Sequence, residues 1–434
     1  MSGAYKGHNS RVFPLDAVRA AYPALSDGYA YLDGAAGTQT PVSVIEAISA
    51  AYRAGIGNVG GAFPASHRSG RIVEQARAAV ADLVGGSAEG VVFGPNMTTL
   101  TYRLAAALRL GPDDEIVLSR LDHDANVRPW VQTGATVRWA EVDPVTGELP
   151  VEQYRELVGP RTRLVAVTAA SNVLGTRPEV AEIAAIARRA GALVFVDGVH
   201  ATPHGPVDMA ELGADFYVTS AYKWSGPHIG ALVADPGLLA TIFPDKLTPA
   251  PDTVPDRFET GTAAFADLAG VTAAVEHLAG LAWMGADDAE GAAGPVGPVG
   301  TPEPTGPSGP SRRRRLLASM AAAEAHELEL FAELVDGLAA MPHVTLYGKP
   351  ARRTATAYFT VSGLSPREVA EQLARRRVNV WSGHNYAWEL TGALGVRDGG
   401  GAVRAGLVHY NSRDDVQRLL DGVAELRSSP PARP

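Results

Sequence analysis

The stretch "RLVAVTAASNVLGTRPEVAEIAAIARRAGALVFVDG" (Arg163–Gly198) decides the fold class. It holds two short apolar runs, "RLVAVTAASN" and "ALVFVDG", and between them "RPEVAEIAAIARRAG", whose apolar residues recur at helical spacing. Such runs predict buried strands, and the segment between them predicts an amphipathic helix. A strand, a helix and a second strand in this order predict a parallel pair covered by the helix.

The same alternation extends over the first two thirds of the chain. Further strands are predicted at "GVVFG", "EIVLSR", "DFYVTS" and "GALVAD", and further helices at "VEQARAAVADLVGG" and "TTLTYRLAAALRLG". We therefore expect an α/β protein with a mainly parallel central sheet. Active sites of such sheets lie beyond the carboxyl ends of the strands. Asn172, Asp197 and Ser220 each stand at one of these ends.

The domain organisation follows from changes in composition. We predict an N-terminal segment (1–30) that joins a small domain, a large domain (31–275), a connecting region (276–312) and a small C-terminal α+β domain (313–434). The connecting region contains "GAAGPVGPVGTPEPTGPSGPS", whose Gly and Pro content predicts a flexible insertion. The basic run Arg312–Arg315 is interpreted as the solvated start of a long helix.

Composition excludes several classes of function. The formal net charge of −9 argues against a nucleic-acid binder. The absence of cysteine excludes disulfides, thiolate metal sites and cysteine nucleophiles. The apolar stretch "AGVTAAVEHLAGLAWMG" is interrupted by Glu276 and His277, so we expect it to be too polar to span a membrane. A cytoplasmic location is expected.

Asp197 and Lys223 lie at the ends of two separate predicted strands. Taken singly, Asp197 could cap the next loop and Lys223 could lie on the surface. Together they suit pyridoxal phosphate, because a lysine amine forms a Schiff base with its aldehyde and an aspartate keeps its pyridine nitrogen protonated. The neighbours of the lysine are small, which would let the backbone approach a ligand closely: Ser220, Ala221, Ser225 and Gly226.

Candidate partners for the other cofactor groups follow the strands as well. In "FGPNMTTL", Asn96, Met97 and Thr98 open a predicted helix, whose N-terminus could bind phosphate or form an ordinary cap. Hydroxyl groups of Ser220 and Tyr222 could add donors. His123 could stack on a ring, and Asn172 could donate to a phenolic oxygen; each could equally make only local loop contacts.

A metal site is the competing interpretation of the histidines. His200, His204 and Asp208 could supply ligands if they shared a helix face. Pro203 and Pro206 make a regular helix there unfavourable, so we predict no metal.

These motifs together resemble the class V aminotransferase family of fold-type-I pyridoxal phosphate enzymes, in particular its cysteine desulfurase-like branch. The resemblance covers nearly the whole chain outside the Gly/Pro-rich insertion. It rests on these stretches, in chain order: "YLDGAAGTQTP", "DHDANVRPW", "SNVLGT", "VDGVH", "SAYKWSGPHIG", "RFETGT", "GHNYA" and "VRAGLVHYN".

The resemblance implies a role for each matching residue near the cofactor ring. Lys223 would form the Schiff base, Asp197 would hold the pyridine nitrogen, and His123 would stack on the ring. Asn172 and His200 would address the phenolic oxygen. His200 stands where desulfurases usually carry glutamine.

The resemblance also implies phosphate and substrate contacts. The phosphate would be bound by Asn96, Met97, Thr98, Ser220 and Tyr222, the last in place of a histidine. Thr262 would reach the phosphate of a neighbouring subunit, which implies a homodimer. Arg404 would bind the α-carboxylate of an amino-acid substrate, and Ala35 and Tyr386 would line the substrate site.

The sequence departs from the desulfurase pattern at one decisive place. By the resemblance, Tyr386 stands where desulfurases carry the cysteine that receives sulfur. Because the chain contains no cysteine at all, persulfide chemistry is excluded. We expect a β-eliminating C–S lyase. An aminotransferase, an epimerase and a catalytically silent scaffold remain as alternatives.

Overall fold

The computed structural model describes residues 12–285 and 311–426. The strands are β1 (Ala30–Tyr31), β2 (Val91–Gly94), β3 (Glu115–Ser119), β4 (Thr136–Ala140), β5 (Thr162–Thr168), β6 (Leu193–Asp197), β7 (Phe216–Ser220), β8 (Gly230–Ala234), β9 (Val344–Leu346), β10 (Thr356–Val361), β11 (Val378–Asn379), β12 (Trp381–Gly383) and β13 (Ala402–Gly406). The α-helices are α1 (Leu15–Ala20), α2 (Val42–Ala54), α3 (Pro64–Val84), α4 (Met97–Leu108), α5 (Arg128–Val131), α6 (Tyr154–Leu157), α7 (Val180–Arg189), α8 (Pro236–Ala240), α9 (Phe265–Gly280), α10 (Arg312–Ala339), α11 (Pro366–Arg375), α12 (Trp388–Ala393) and α13 (Arg413–Ala424).

A seven-stranded sheet forms the centre of the fold. Its strand order is β2–β8–β7–β6–β5–β3–β4, and every neighbouring pair is parallel except the two pairs that include β8. The prediction of an α/β protein with a mainly parallel sheet is therefore confirmed. Because six strands run the same way, their carboxyl ends collect at one edge of the sheet.

Strand β6 shows why the sheet is buried on both faces. Its side chains alternate between the faces, so Val194 and Val196 join one apolar cluster and Phe195 joins another. The first cluster includes residues of α3, α7 and α9, and the second includes residues of α4. The run of four apolar residues that precedes Asp197 is what such a doubly covered sheet requires.

The C-terminal part of the chain builds a second sheet. This antiparallel sheet has the order β12–β13–β10–β9, and β1 pairs in parallel with β11 beside it. A third apolar cluster lies between these strands and helices α10, α11 and α13. The domain boundaries proposed at residues 30, 275 and 312 stay predictions. Residues 286–310 of the connecting region, which include nearly all of the Gly/Pro-rich insertion, lie outside the described residues.

One predicted strand is shorter than expected. The run "RLVAVTAASN" stops pairing at Thr168 rather than continuing to Asn172. The Thr168 hydroxyl donates to the Ala170 carbonyl at 2.7 Å, and the Ser171 N–H donates to the Thr176 carbonyl at 2.9 Å. These local bonds replace the sheet ladder, so Asn172 lies in a turn that follows the strand.

The interpretation of Arg312–Arg315 as a solvated run is wrong for three of the four residues. Arg312 pairs with Asp82 and Glu276, and Arg315 also pairs with Glu276. The partners of Arg313 are Asp208 and the carbonyl oxygens of residues 82, 83 and 207. Only Arg314 is exposed. The run therefore fastens the start of α10 to α3 and α9.

Helix α9 differs from the expectation that its sequence is too polar to span a membrane. Residues 265–283 are long and apolar enough, by length and composition alone, to cross a membrane. In the fold, α9 packs against α2, α3 and α10, and 72% of the apolar window is buried. The apolar character of this helix is accounted for by its central position in the core.

A buried polar cluster joins four separate parts of the chain. The Tyr22 hydroxyl lies 2.8 Å from Ser225 Oγ, 2.8 Å from His277 Nε2 and 2.7 Å from His409 Nε2. Burial lowers the pKa of His277 to about 4 and that of His409 well below its usual value. Both rings are therefore neutral near pH 7, and each depends on this hydroxyl as a hydrogen-bond partner.

We expect Tyr22→Phe to lower the free energy of unfolding by about 1–3 kcal/mol, because it leaves buried polar atoms without a partner. Urea denaturation followed by circular dichroism measures the change. Tyr52→Phe is the control, since Tyr52 is 64% exposed. An unfolding midpoint for Tyr22→Phe equal to that of Tyr52→Phe would show that the cluster contributes nothing to stability.

Candidate active site

One cavity of about 700 Å³ lies at the carboxyl edge of the central sheet. Thirteen of the fourteen residues proposed to contact the cofactor or the substrate line it: Ala35, Asn96, Met97, Thr98, His123, Asn172, Asp197, His200, Ser220, Tyr222, Lys223, Tyr386 and Arg404. The fourteenth, Thr262, is exposed and does not line the cavity. The fold thus brings the candidates together, while their individual roles stay predictions.

Lys223 ends a short 3₁₀ turn (Ala221–Lys223) that directly follows β7. Its Nζ donates to the Ala35 carbonyl at 2.7 Å. Burial is the main cause that lowers the pKa of Lys223 to about 7; the charge of Arg404 acts in the same direction and that of Asp197 in the opposite one. A large fraction of the amine is therefore neutral at pH 7, which is the form that attacks a carbonyl carbon.

Asp197 is the last residue of β6 and is buried. Its Oδ1 accepts a hydrogen bond from the Val199 N–H at 2.9 Å. Burial raises the pKa of this carboxyl to about 6, while the Val199 bond and Lys223 lower it. The aspartate is therefore placed to favour a cationic partner, such as a protonated ring nitrogen.

The small residues around Lys223 have a different use from the one expected. A Cβ on Gly226 would lie 2.8 Å from the Ala221 Cβ, so these two residues pack against each other in the turn. Ser225 has a positive φ of 68° and is buried against Tyr22. Of the four small residues, only Ser220 lines the cavity. The others shape the turn that carries the lysine.

The N-terminus of α4 opens into the cavity. Asn96 caps the helix, because its Oδ1 accepts from the Thr99 N–H at 2.9 Å. The Met97 N–H donates to Ser220 Oγ at 3.0 Å, which ties the helix start to the end of β7. Backbone N–H groups at a helix start, with the Thr98 and Ser220 hydroxyls, are suited to bind a phosphate group.

His123 forms part of the cavity wall. Its Nδ1 accepts from the Ala125 N–H at 3.0 Å. Burial lowers its pKa to about 3, and Lys223 and Arg404 lower it as well. The neutral ring therefore carries its proton on Nε2. The Tyr386 ring stacks beside it, with centroids 5.5 Å apart and planes inclined by 26°.

Arg404 projects from β13 and is only 5% exposed. One guanidinium nitrogen donates to the Asn172 carbonyl at 2.9 Å. Burial lowers the pKa of Arg404 to about 10, so it remains charged at pH 7. Within residues 12–285 and 311–426, it forms no ion pair. A buried cation without a carboxylate partner is suited to bind an anionic ligand.

The histidines proposed for a metal site have other partners. His200 Nε2 lies 3.0 Å from Thr354 Oγ1 and 3.1 Å from Thr356 Oγ1. His204 Nδ1 lies 2.6 Å from a Glu327 carboxylate oxygen. Asp208 pairs with Arg313, as described above. The structure, over the residues it describes, contains no group of three or more His, Asp or Glu that could hold a metal ion.

Asn172 is held by contacts that the sequence did not reveal. Its Nδ2 donates to the Asn385 carbonyl at 2.9 Å, and its Oδ1 is buried without a partner. Its predicted bond to a phenolic oxygen stays a prediction.

Several lining residues were missed in the sequence: Tyr102, Arg128, Trp381 and His384. Tyr102 lies on α4, one turn beyond the proposed phosphate site. Trp381 precedes the quoted "GHNYA" stretch and His384 lies within it, so the number of aromatic residues at this place was the available signal.

The donor set fits pyridoxal 5'-phosphate. The cofactor has an aldehyde, a basic ring nitrogen and a phosphate, and the cavity offers a partly neutral amine, a buried carboxylate and a helix N-terminus. The neutral His123 ring adds a flat surface that a pyridine ring could contact. Arg404 is then left over for an anionic group of the substrate.

Comparisons with known proteins agree with this fit. The sequence profile of the family described as Aminotransferase class-V matches residues 30–292 and 299–419. An uncharacterized protein of Mycobacterium tuberculosis is 37% identical over 94% of this chain and 98% of its own length. A probable cysteine desulfurase of Pseudomonas aeruginosa is 34% identical over 94% of this chain and 98% of its own. The apo structure of a cysteine desulfurase from Thermococcus onnurineus superposes with a TM-score of 0.81 and 27% identity, over 96% of this chain and 99% of that one.

We expect Lys223 to react with an acylating reagent at a lower pH than an ordinary lysine, whose pKa is about 10.4. Only the neutral amine reacts, so labelling of cofactor-free protein should rise as the pH increases through about 7. Peptide-resolved mass spectrometry between about pH 5 and 10 measures this. In Arg404→Leu the midpoint should move upward, because one neighbouring positive charge is gone. Labelling of Lys223 that begins only above about pH 9 would contradict the assignment.

Proposed function

Since the chain belongs to the class V aminotransferase family, whose members use pyridoxal 5'-phosphate, we propose that it is a β-eliminating C–S lyase that acts on an α-amino acid with the cofactor held at Lys223. The observation that carries this proposal is the combination of a nucleophilic lysine with a chain that contains no cysteine. A cytoplasmic location stays a prediction.

The cofactor, when bound, supplies an aldehyde that holds the substrate amine and a ring that accepts the electron pair left at Cα. Asp197 favours the protonated state of the ring nitrogen. Arg404 orients the substrate by binding its α-carboxylate through two parallel N–H donors. Lys223, once its amine is released from the aldehyde, removes the proton from Cα, and its lowered pKa suits that work near pH 7.

Loss of sulfur in this reaction needs no protein thiol. When the Cα proton is removed, the bond from Cβ to sulfur can break, and the sulfur leaves as a thiolate. The remaining three-carbon fragment is hydrolysed to pyruvate and ammonia. A desulfurase requires a cysteine to receive sulfur as a persulfide, and here Tyr386 stands at that place. This absence supports direct elimination.

The proposal includes a homodimer. Thr262 is exposed in the isolated chain and lies outside its cavity. We place it against the phosphate site of a second copy, as the resemblance implies. Size-exclusion chromatography with light scattering tests the assembly, and a monomer at micromolar concentration would contradict it.

We expect purified protein to be yellow and to release thiol, pyruvate and ammonia from cysteine thioethers. Lys223→Ala should lose the visible band after dialysis, and Asp197→Asn should lower kcat by about 100-fold or more while retaining the cofactor. Asp245→Asn is the matched control, because the Asp245 side chain is 97% exposed and lies outside the cavity.

The products distinguish the proposal from its alternatives. A keto acid formed only with an amino acceptor would identify an aminotransferase instead. Deuterium uptake at Cα without net turnover would identify an epimerase. Protein that stays colourless after incubation with pyridoxal phosphate would overturn the enzyme assignment altogether.

A further inference from the structure

Three aromatic side chains converge on the open side of the cavity. Tyr102 comes from α4, Trp381 from β12 and Tyr386 from the loop after β12. In the isolated chain they are 40%, 52% and 68% exposed, although large aromatic groups usually bury most of their surface. Tyr102 is far along the chain from Trp381 and Tyr386, so the fold brings it to the same cavity as the other two. Exposed apolar surface that is concentrated at a cavity is typical of a binding site.

The loop that carries Tyr386 is firmly held. Asn385 and Tyr386 have positive φ angles of 50° and 57°, which are unfavourable for residues with a side chain. The Asp124 N–H donates to the Tyr386 carbonyl at 2.7 Å, and Asn172 Nδ2 donates to the Asn385 carbonyl at 2.9 Å. This unusual backbone is therefore fixed by the cavity wall itself, and it holds the Tyr386 ring beside His123.

The cations that line the cavity do not provide a site for a second carboxylate of the substrate. The cationic side chains in the wall are Lys223, Arg404 and Arg128. Arg128 is already neutralised, because it pairs with Asp124 at 3.0 Å and Glu389 at 2.8 Å. Lys223 and Arg404 are taken by the cofactor and the α-carboxylate in the function proposed above. No further cation in the wall is left without a carboxylate partner to bind a second carboxylate of the substrate.

We propose that the substrate is a cysteine thioether whose sulfur carries a flat, aromatic group, and that Tyr102, Trp381 and Tyr386 bind this group. The inference rests on the proposed lyase function and assigns its substrate class. The Cα–H and Cβ–S bonds break, and the sulfur takes a proton and leaves as a thiol that carries the aromatic group. One water molecule is consumed as the remainder becomes pyruvate and ammonium. No oxidant or reductant is needed.

The test compares three substrates with the holoenzyme: S-benzyl-L-cysteine, S-methyl-L-cysteine and S-carboxymethyl-L-cysteine. We expect kcat/KM for the benzyl compound to exceed that for each of the others by about tenfold or more, since contact of a ring with aromatic neighbours adds to the burial of its surface. Thiol release is measured together with the change in the cofactor absorbance that reports binding.

Trp381→Leu tests the aromatic wall directly. We expect it to lower kcat/KM for the benzyl compound by about five- to tenfold and that for the methyl compound by less than about twofold. Trp388→Leu is the matched control, because Trp388 is 43% exposed but does not line the cavity. A similar loss for both substrates in Trp381→Leu would mean a structural role only and would overturn the assignment.

The failure of this inference differs from the failure of the lyase proposal. If thiol is released from all three compounds with similar kcat/KM, or best from the methyl or carboxymethyl compound, the lyase proposal holds and the substrate class is wrong. If the cofactor absorbance shows that the benzyl compound binds with the lowest dissociation constant of the three, but no thiol is released, the aromatic site is supported and the lyase reaction is wrong.

Discussion

The pKa of about 7 at Lys223 requires that the surrounding protein keep its amine away from bulk water. In addition to burial, two charged side chains change the pKa of this amine: Arg404 lowers it and Asp197 raises it. Asp197 ends a strand of the central sheet, whereas Arg404 lies on β13 of the second sheet. The reactivity of the lysine therefore depends on how the two sheets meet. The Tyr22 cluster joins the turn after Lys223 to the segment after β13, so the same packing that stabilises the fold sets the chemistry.

Much of this site could be predicted from the sequence because a parallel sheet gathers the ends of its strands. Asp197, Ser220 and the start of α4 each follow an apolar strand. The polar residue that comes next after each strand therefore lies at the carboxyl edge of the sheet. The direction of the chain in each strand was enough to place them together. Some of their hydrogen-bond partners are also close in the sequence, such as the Val199 N–H that donates to Asp197.

The remaining features depend on contacts between distant residues, which local patterns do not encode. Arg312 and Arg315 are paired because Glu276 of α9 lies beside the start of α10, a contact that no spacing in the sequence reveals. Trp381 belongs to a short strand at the edge of the second sheet, and only the assembled fold brings that edge to the cavity. The early end of β5 at Thr168 reflects a competition between a side-chain bond and the sheet ladder, which was decided by atoms two residues away.

The attachment of α10 depends on charge. Arg312 and Arg313 hold the beginning of this helix against the core through contacts with Asp82, Glu276 and Asp208. Each of these carboxylates is partly exposed, so dissolved ions can screen the pairs. A rise in ionic strength therefore weakens the hold on the start of α10 while it leaves the apolar contacts of the core in place.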